Sequence, residues 1–132
     1  MSTRSVVGRL IGEGDPAGRY VHFDGHPDSM GPELWRIIKR DGATAAADLI
    51  CSYQGGWSYL QADTGKGPER DGLLCVDGYG GAYDDGRDLG VQDQFSQEYG
   101  YAIGPDTLTV WDHGNLVGTF KLDEDEPDWK KV

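Results

Sequence analysis

The stretch YGYAIGPDTLTVWDHGNLVGTFKL, residues 99–122, decides the fold of this chain. Two turn-forming clusters, GPD at 104–106 and DHGN at 112–115, divide it into three segments rich in aromatic and β-branched residues. Apolar side chains alternate with small or polar ones along the first two segments, which is the pattern of strands with one covered face. The stretch therefore predicts an antiparallel meander of three strands, at 99–103, 107–111 and 116–122.

Two more strands are predicted at 5–11 and 19–23, because a turn-rich GEGDP cluster separates two β-prone runs that can form a hairpin. A helix is predicted over 31–42, which opens on Gly-Pro, carries an apolar stripe at helical spacing and ends on Asp-Gly. ATAAADLIC at 43–51 predicts a second short helix. The fold class that follows is α+β, with an antiparallel sheet of four or five strands (the N-terminal hairpin plus the C-terminal meander) packed on one or two helices.

The other segments show no regular spacing of apolar residues. A Gly/Asp-rich loop is predicted at about 61–90, within which only LLCV at 73–76 is strand-like, and a short helix at 91–98. The run DEDEPD predicts a frayed acidic tail over 123–132. No internal repeat divides the chain, so 1–132 is interpreted as a single domain.

The charge of the chain is negative and uneven. Its 132 residues include 23 acids and 12 Lys or Arg, a net charge of −11. Residues 1–62 carry seven acids and six bases, whereas 63–132 carry sixteen acids and six bases. This balance argues against direct binding of duplex nucleic acid. The excess of acids is interpreted first as a solvated surface that keeps the protein in solution, and alternatively as an acidic face for a basic partner. The chain has two cysteines and no apolar run of about 18 residues. These features predict a cytoplasmic protein that does not enter membranes.

The segment YVHFDGHP at 20–27, with the opening STRS at 2–5, resembles a group of small bacteriophage and bacterial proteins that has no settled activity. In that group, tryptophan and tyrosine are more usual at the positions of Phe23 and His26. The resemblance covers residues 1–40 well and the later chain more loosely, through Tyr99, Tyr101 and the charged turn 85–88. It implies a phage or prophage accessory protein but no reaction. The usual tyrosine at position 26 argues against a mechanism that needs histidine there.

His22, Asp24 and His26 are spaced two residues apart and would share one side of an extended chain. Imidazole and carboxylate groups are ligands of zinc and iron, but Gly25 and Pro27 break the strand and no spacing indicates further ligands. The alternative is structural, with Asp24 capping a turn and His22 packed in the sheet. We predict no metal and no cofactor.

A ligand pocket is the other interpretation of the same bend, with Arg4 holding an acid group and aromatic rings providing a platform. The predicted pocket lies where 20–27 meets the helix at Gly31, closed over by a loop at 77–88. Its predicted ligand-binding residues are Arg4, Tyr20, His22, Asp24, His26, Trp35 and Arg87.

These features favour a small acidic, non-enzymatic binding protein of phage or prophage type that interferes with a host protein or sequesters a small ligand. One alternative is a nucleic-acid mimic that inhibits a basic DNA- or RNA-binding protein, and another is a metal-dependent hydrolase. Enzyme activity has little support, because no nucleophile motif occurs and both cysteines lie in apolar segments. An unpaired edge strand allows a homodimer.

Overall fold

The computed structural model describes residues 3–10, 18–67, 72–93 and 96–132, and all statements below concern these residues. They form eight strands, two α-helices and one 3₁₀ turn. The elements are β1 Ser5–Arg9, β2 Gly18–Val21, α1 Pro27–Asp41, α2 Ala43–Cys51, β3 Trp57–Leu60, β4 Leu73–Val76, β5 Gly80–Tyr83, β6 Tyr99–Ile103, β7 Thr107–Asp112, β8 Asn115–Lys121 and the 3₁₀ turn Trp129–Lys131.

The strands form one sheet in the order β4-β5-β3-β2-β1-β6-β7-β8. The predicted hairpin of β1 with β2 and the meander β6-β7-β8 are both antiparallel. However, β1 pairs with β6 and β2 with β3 in parallel. The α+β class is therefore confirmed, whereas the prediction of four or five antiparallel strands is wrong. The parallel pairs join segments far apart in sequence, which local periodicity does not report.

The helices cover one face of this sheet. Val7 of β1, Val21 of β2 and Tyr101 of β6 are buried in one core cluster with Leu34 and Ile37 of α1. Because successive side chains of a strand point to opposite faces, their neighbours Val6 and Tyr20 lie on the other face, the open face.

Helix α1 begins four residues earlier than predicted. His26 adopts an extended backbone and its Nδ1 accepts a hydrogen bond from the Asp28 N–H, which caps the first turn. Pro27 follows at the first helical position, where a missing N–H costs nothing. Helix α2 has the predicted bounds, and no described helix is long and apolar enough to cross a membrane.

Two groups of strands flank the β1–β2 pair: the meander wing, β6-β7-β8, and the glycine wing, β3-β5-β4. Helix α1 contacts both. The Arg40 guanidinium donates to the carbonyls of Ala62 and Gly78 beside the glycine wing, at 3.0 and 2.8 Å. The Lys39 ammonium donates to the carbonyl of Leu122 beyond β8, at 2.7 Å. One helix therefore connects the far parts of the sheet.

The glycine wing corrects the prediction of a loop over 61–90. Strands β4 and β5 form a hairpin there, and β5 also pairs with β3, which the sequence did not predict as a strand. A Cβ built on Gly80, whose φ is 148°, would lie 2.2 Å from the carbonyl oxygen of Tyr59. The wing depends on a backbone approach that only glycine allows.

The predicted tail is anchored rather than frayed at Trp129, which is buried. Its indole packs edge-on against the rings of Trp35 in α1 and Phe120 in β8, with centroids 6.2 and 5.4 Å away. A Cβ on Gly31 would lie 2.3 Å from this indole, so the glycine leaves room for it.

The segment 84–98 joins β5 to β6 and must therefore pass β3, β2 and β1. Residues 91–93 and 96–98 are not helical, so the predicted helix is wrong there, and 94–95 lie outside the described residues. The segment is held by hydrogen bonds in both directions between the backbones of Gln92 and Gly18, at 3.1 and 2.8 Å. Val6, which lies beside Gly18 on the open face, is fully buried.

Candidate functional site

Tyr20 and His22 lie together on the open face, because both flank the core residue Val21. The Tyr20 hydroxyl is 2.5 Å from Nδ1 of His22, and both side chains are half-buried. The His22 ring also packs edge-on against Phe23, with centroids 4.4 Å apart. The two polar groups are thus held in a fixed relation beside an exposed aromatic ring.

Arg4 and Glu98 bring opposite charges to the Tyr20 hydroxyl. Burial raises the pKa of Tyr20 above its usual value, the Arg4 guanidinium opposes that shift, and the phenol of Tyr83 and the carboxylate of Glu98 add to it. The phenol therefore keeps its proton at neutral pH and can donate one hydrogen bond while accepting another.

A recess of about 240 Å³ opens beside Tyr20 and is lined by Tyr20, Leu89, Gln92 and Gln97. Gln92 is fixed in place, since its amide nitrogen donates to the Leu89 carbonyl at 2.7 Å. The recess therefore combines a phenol ring, an apolar side chain and two amides, with Arg4 and His22 beside the phenol.

Three glycines allow the segment 84–98 to pass close to the sheet. A Cβ on Gly18 would lie 3.2 Å from the Gln92 carbonyl oxygen, and one on Gly55 would lie 3.2 Å from the Arg87 carbonyl oxygen. A Cβ on Gly56 would lie 3.5 Å from Leu89 Cδ1. The segment therefore lies close against these three glycines.

The bend after β2 separates Asp24 and His26 from Tyr20 and His22. Gly25 anchors it, because its N–H donates to the Thr3 carbonyl at 2.9 Å and its carbonyl accepts from the Tyr101 hydroxyl at 2.5 Å. Asp24 has a φ of 58° and is exposed. The predicted set of His22, Asp24 and His26 therefore does not share one side.

His26 forms a separate cluster at the start of α1. Its Nδ1 is 2.7 Å from an Asp28 carboxylate oxygen, and its ring packs on Tyr99 with centroids 5.3 Å apart. His113, which bonds Asp112, packs on the same tyrosine at 6.0 Å. His26 therefore has a structural role as a helix cap.

A recess of about 340 Å³ lies where the predicted pocket was expected, near the first turns of α1. Its charged residues are Asp24, Asp28 and Glu33, and the Glu33 carboxylate accepts a hydrogen bond from the Ala62 N–H at 2.8 Å. The carboxylates oppose the anion preference of a helix N-terminus, so this recess is unsuited to a phosphate.

Trp35 and Arg87 do not join the Tyr20 cluster. Trp35 is buried against Trp129 in the core, so it does not line an open site. Arg87 pairs with the Asp85 carboxylate and lies over the Tyr83 ring, 4.1 Å from its centroid. It borders another recess of about 280 Å³, near the end of α2.

A further recess, of about 450 Å³, is built around Arg40. That guanidinium bonds the Asp41 carboxylate as well as the carbonyls of Ala62 and Gly78. The Asp41 carboxylate also accepts from the Tyr79 hydroxyl at 2.7 Å, and the pKa of Asp41 is lowered to about 2, mainly by Arg40. The Arg40 guanidinium thus makes four hydrogen bonds within the protein, which indicates a structural role.

Nothing in the described ranges groups three or more histidine, cysteine or acidic side chains so that they could hold a metal ion. The metal set considered from the sequence, His22 with Asp24 and His26, is divided by the bend at Gly25. The hydrolase alternative thus has no candidate metal centre in this part of the chain.

Of the predicted residues, Tyr20 and His22 lie together, and Arg4 is exposed just before β1. Leu89, Gln92 and Gln97 were not predicted. Those three belong to a segment without periodicity, and its backbone hydrogen bonds with Gly18 and Gln54 place it beside Tyr20. The loop 77–88 was predicted to cover the site, but the residues that line this recess follow it in the chain.

No protein family, curated protein or solved structure matches this chain significantly.

Proposed function

We propose that the chain is a small, acidic, non-enzymatic binding protein of phage or prophage type that sequesters a small polar ligand in the recess beside Tyr20. The observation that carries this proposal is the recess of about 240 Å³, where a phenol ring and two amides converge on the open face. Sites for small ligands are concave, with an apolar or aromatic wall and few polar groups, and this recess has that composition. The phage or prophage type rests on the resemblance of the segment 20–27.

The other recesses support a ligand site less well. Arg40 fills one with internal hydrogen bonds, and carboxylates line the recess at the start of α1. A nucleic-acid mimic would present an unbroken stripe of carboxylates. On the side of α1 that faces β3, Arg36 pairs with Asp63 at 2.8 Å and Arg40 with Asp41 at 2.9 Å, which interrupts such a stripe.

The proposal is tested by NMR with the full chain and a panel of nucleosides, nucleotides, amino acids and sugar phosphates. A ligand should shift the amide signals of Leu89, Gln92 and Gln97 in a saturable manner, and Tyr20→Ala should abolish the response. Tyr99→Ala, which removes another half-buried tyrosine, is the matched control and should bind normally.

Thermal unfolding of both variants shows whether they fold. The proposal is wrong if no panel member moves these signals, or if a folded Tyr20→Ala chain responds like the wild type.

A further inference from the structure

We propose that Asp85–Gly86 is a modification site at which the aspartate converts spontaneously to isoaspartate, and that Arg87 slows this conversion. The site lies at the start of the segment 84–98. The proposal goes beyond the ligand recess beside Tyr20 and does not depend on it.

The reaction is a ring closure between an aspartate side chain and the next backbone nitrogen. The Gly86 nitrogen bonds to Cγ of Asp85 and closes a five-membered imide, while the amide proton and the carboxyl hydroxyl leave as water. Water then opens the ring. Cleavage between nitrogen and Cγ restores aspartate, whereas cleavage between nitrogen and the main-chain carbonyl carbon gives isoaspartate, whose backbone runs through Cβ and Cγ. Glycine favours the closure because it has no Cβ to obstruct it.

Hydrogen bonds hold the glycine nitrogen in most of the Asp-Gly pairs that the structure describes. The sequence has five such pairs, and both residues are described in four of them. A nitrogen whose proton is bonded to a fixed acceptor is not available to attack the preceding side chain. Three pairs are held in this way, with bonds from Gly25 to the Thr3 carbonyl at 2.9 Å, from Gly42 to the Ile38 carbonyl at 2.8 Å and from Gly78 to the Thr64 carbonyl at 2.7 Å.

Gly86 differs from these three glycines. It is exposed, and a Cβ built on it would meet no atom within 4 Å. Its N–H takes part in none of the hydrogen bonds found among the described residues. Its φ of 85° is a conformation that glycine enters and leaves without steric cost. The Gly86 nitrogen can therefore move towards the Asp85 side chain.

The Asp85 carboxylate is already turned back towards this nitrogen. One of its oxygens accepts a hydrogen bond from the backbone N–H of Arg87 at 3.2 Å, which is the arrangement of an Asx turn. Such a turn folds the side chain over the peptide bond between the two residues, and that peptide contains the Gly86 nitrogen. The two atoms that must bond are therefore neighbours in the folded chain.

The Arg87 side chain opposes the reaction. Its Nε donates to both oxygens of Asp85, at 2.8 and 2.9 Å, and a terminal nitrogen donates to one of them. This pairing holds the pKa of Asp85 below its usual value, whereas the hydroxyl leaves only from the protonated carboxyl. Arg87 is itself held over the Tyr83 ring, 4.1 Å from its centroid. Removal of the guanidinium should therefore accelerate ring closure.

Isoaspartate at position 85 would change the contact between this segment and the loop after α2. A Cβ on Gly55 would lie 3.1 Å from Cγ of Arg87, so the arginine packs closely against that loop. The conversion adds one methylene to the main chain and takes one from the side chain. The carboxylate can then no longer keep both oxygens on Arg87, and the arginine loses the partner that orients it.

The test incubates the full chain for weeks in warm, mildly acidic buffer made with heavy-oxygen water. Each passage through the imide introduces one heavy oxygen, and peptide mapping with electron-transfer fragmentation distinguishes isoaspartate from aspartate. We expect label and isoaspartate at position 85 to accumulate about tenfold faster than at Asp24, Asp41 or Asp77. Arg87→Gln should raise the rate at position 85 by about threefold or more.

Two variants serve as controls, and thermal unfolding shows that each variant folds. Arg36→Gln breaks another exposed ion pair, with Asp63, and should leave the rate at position 85 unchanged. Asp85→Glu keeps a carboxylate for Arg87 but would have to close a six-membered ring, so label at this position should fall to background. The proposal is overturned if Asp85 gains no label, if a pair with a bonded glycine nitrogen reacts as fast, if Arg87→Gln reacts no faster than the wild type, or if label persists in Asp85→Glu.

Discussion

The meander wing and the glycine wing are both antiparallel, but different features of the sequence encode them. In the meander wing, each strand pairs with the next one in sequence, and alternating apolar side chains mark the covered face. In the glycine wing, β3 pairs with β5 rather than with β4, and small residues fill the contacts. The first wing can be recognised from local periodicity, whereas the second depends on where glycine permits close backbone contact.

The largest effect that this comparison predicts is the loss of the glycine wing in Gly80→Ala. The added Cβ would lie 2.2 Å from the Tyr59 carbonyl, in a backbone conformation that alanine rarely adopts. We expect a loss of more than about 3 kcal/mol of unfolding free energy, or no folding. Urea unfolding measures it, with Gly65→Ala as control because a Cβ there meets no atom within 4 Å. Equal stability of the two variants would show that the wing does not depend on this contact.

The meander wing should be most sensitive to loss of a side chain. Trp129→Ala removes the buried indole between α1 and β8, and we expect a cost of about 3–5 kcal/mol. Phe23→Ala, which truncates an aromatic ring that is 43% exposed, should cost much less. Chemical unfolding of both variants measures the difference, and a small effect of Trp129→Ala would contradict the anchoring role of the C-terminal segment.

Because Asp41 of α1 is bonded to Tyr79 beside the glycine wing, the stability of the folded chain should depend on pH in the acidic range. The pKa of Asp41 is lowered in the folded chain from 3.8 to about 2 by Arg40 and Tyr79. The stabilisation by the Asp41 carboxylate is therefore complete at pH values above 3.8, the pKa in the unfolded chain. It is lost as the pH falls from there towards about 2. In Asp41→Asn, the urea midpoint should fall less steeply than in the wild type over this pH range. If the urea midpoint of Asp41→Asn depends on pH as steeply as that of the wild type, Asp41 does not cause this pH dependence.

The sequence predicted the elements whose signal is local. Helix α2 has its predicted bounds, and the meander strands agree to within one residue. It missed β3 and β5, because WSYL and GGAY are short and the latter is half glycine, so neither has a period that can be read. Of the candidate site, it identified the groups next to β1 and β2, but no local pattern links Gln92 to Gly18 across more than seventy residues.

The β-bulge at Val117 has a consequence for self-association. Trp111 pairs with Leu116 while Val110 pairs with Gly118, so Val117 is an extra residue in the exposed edge strand β8. Bulges bend an edge strand and interrupt the ladder that a second chain could extend. A docking strand would find only 118–121 in regular register, fewer than the ~5–6 residues of an average strand. Although Leu116 is 63% exposed beside it, the kinked edge is a poor template for growth into fibrils.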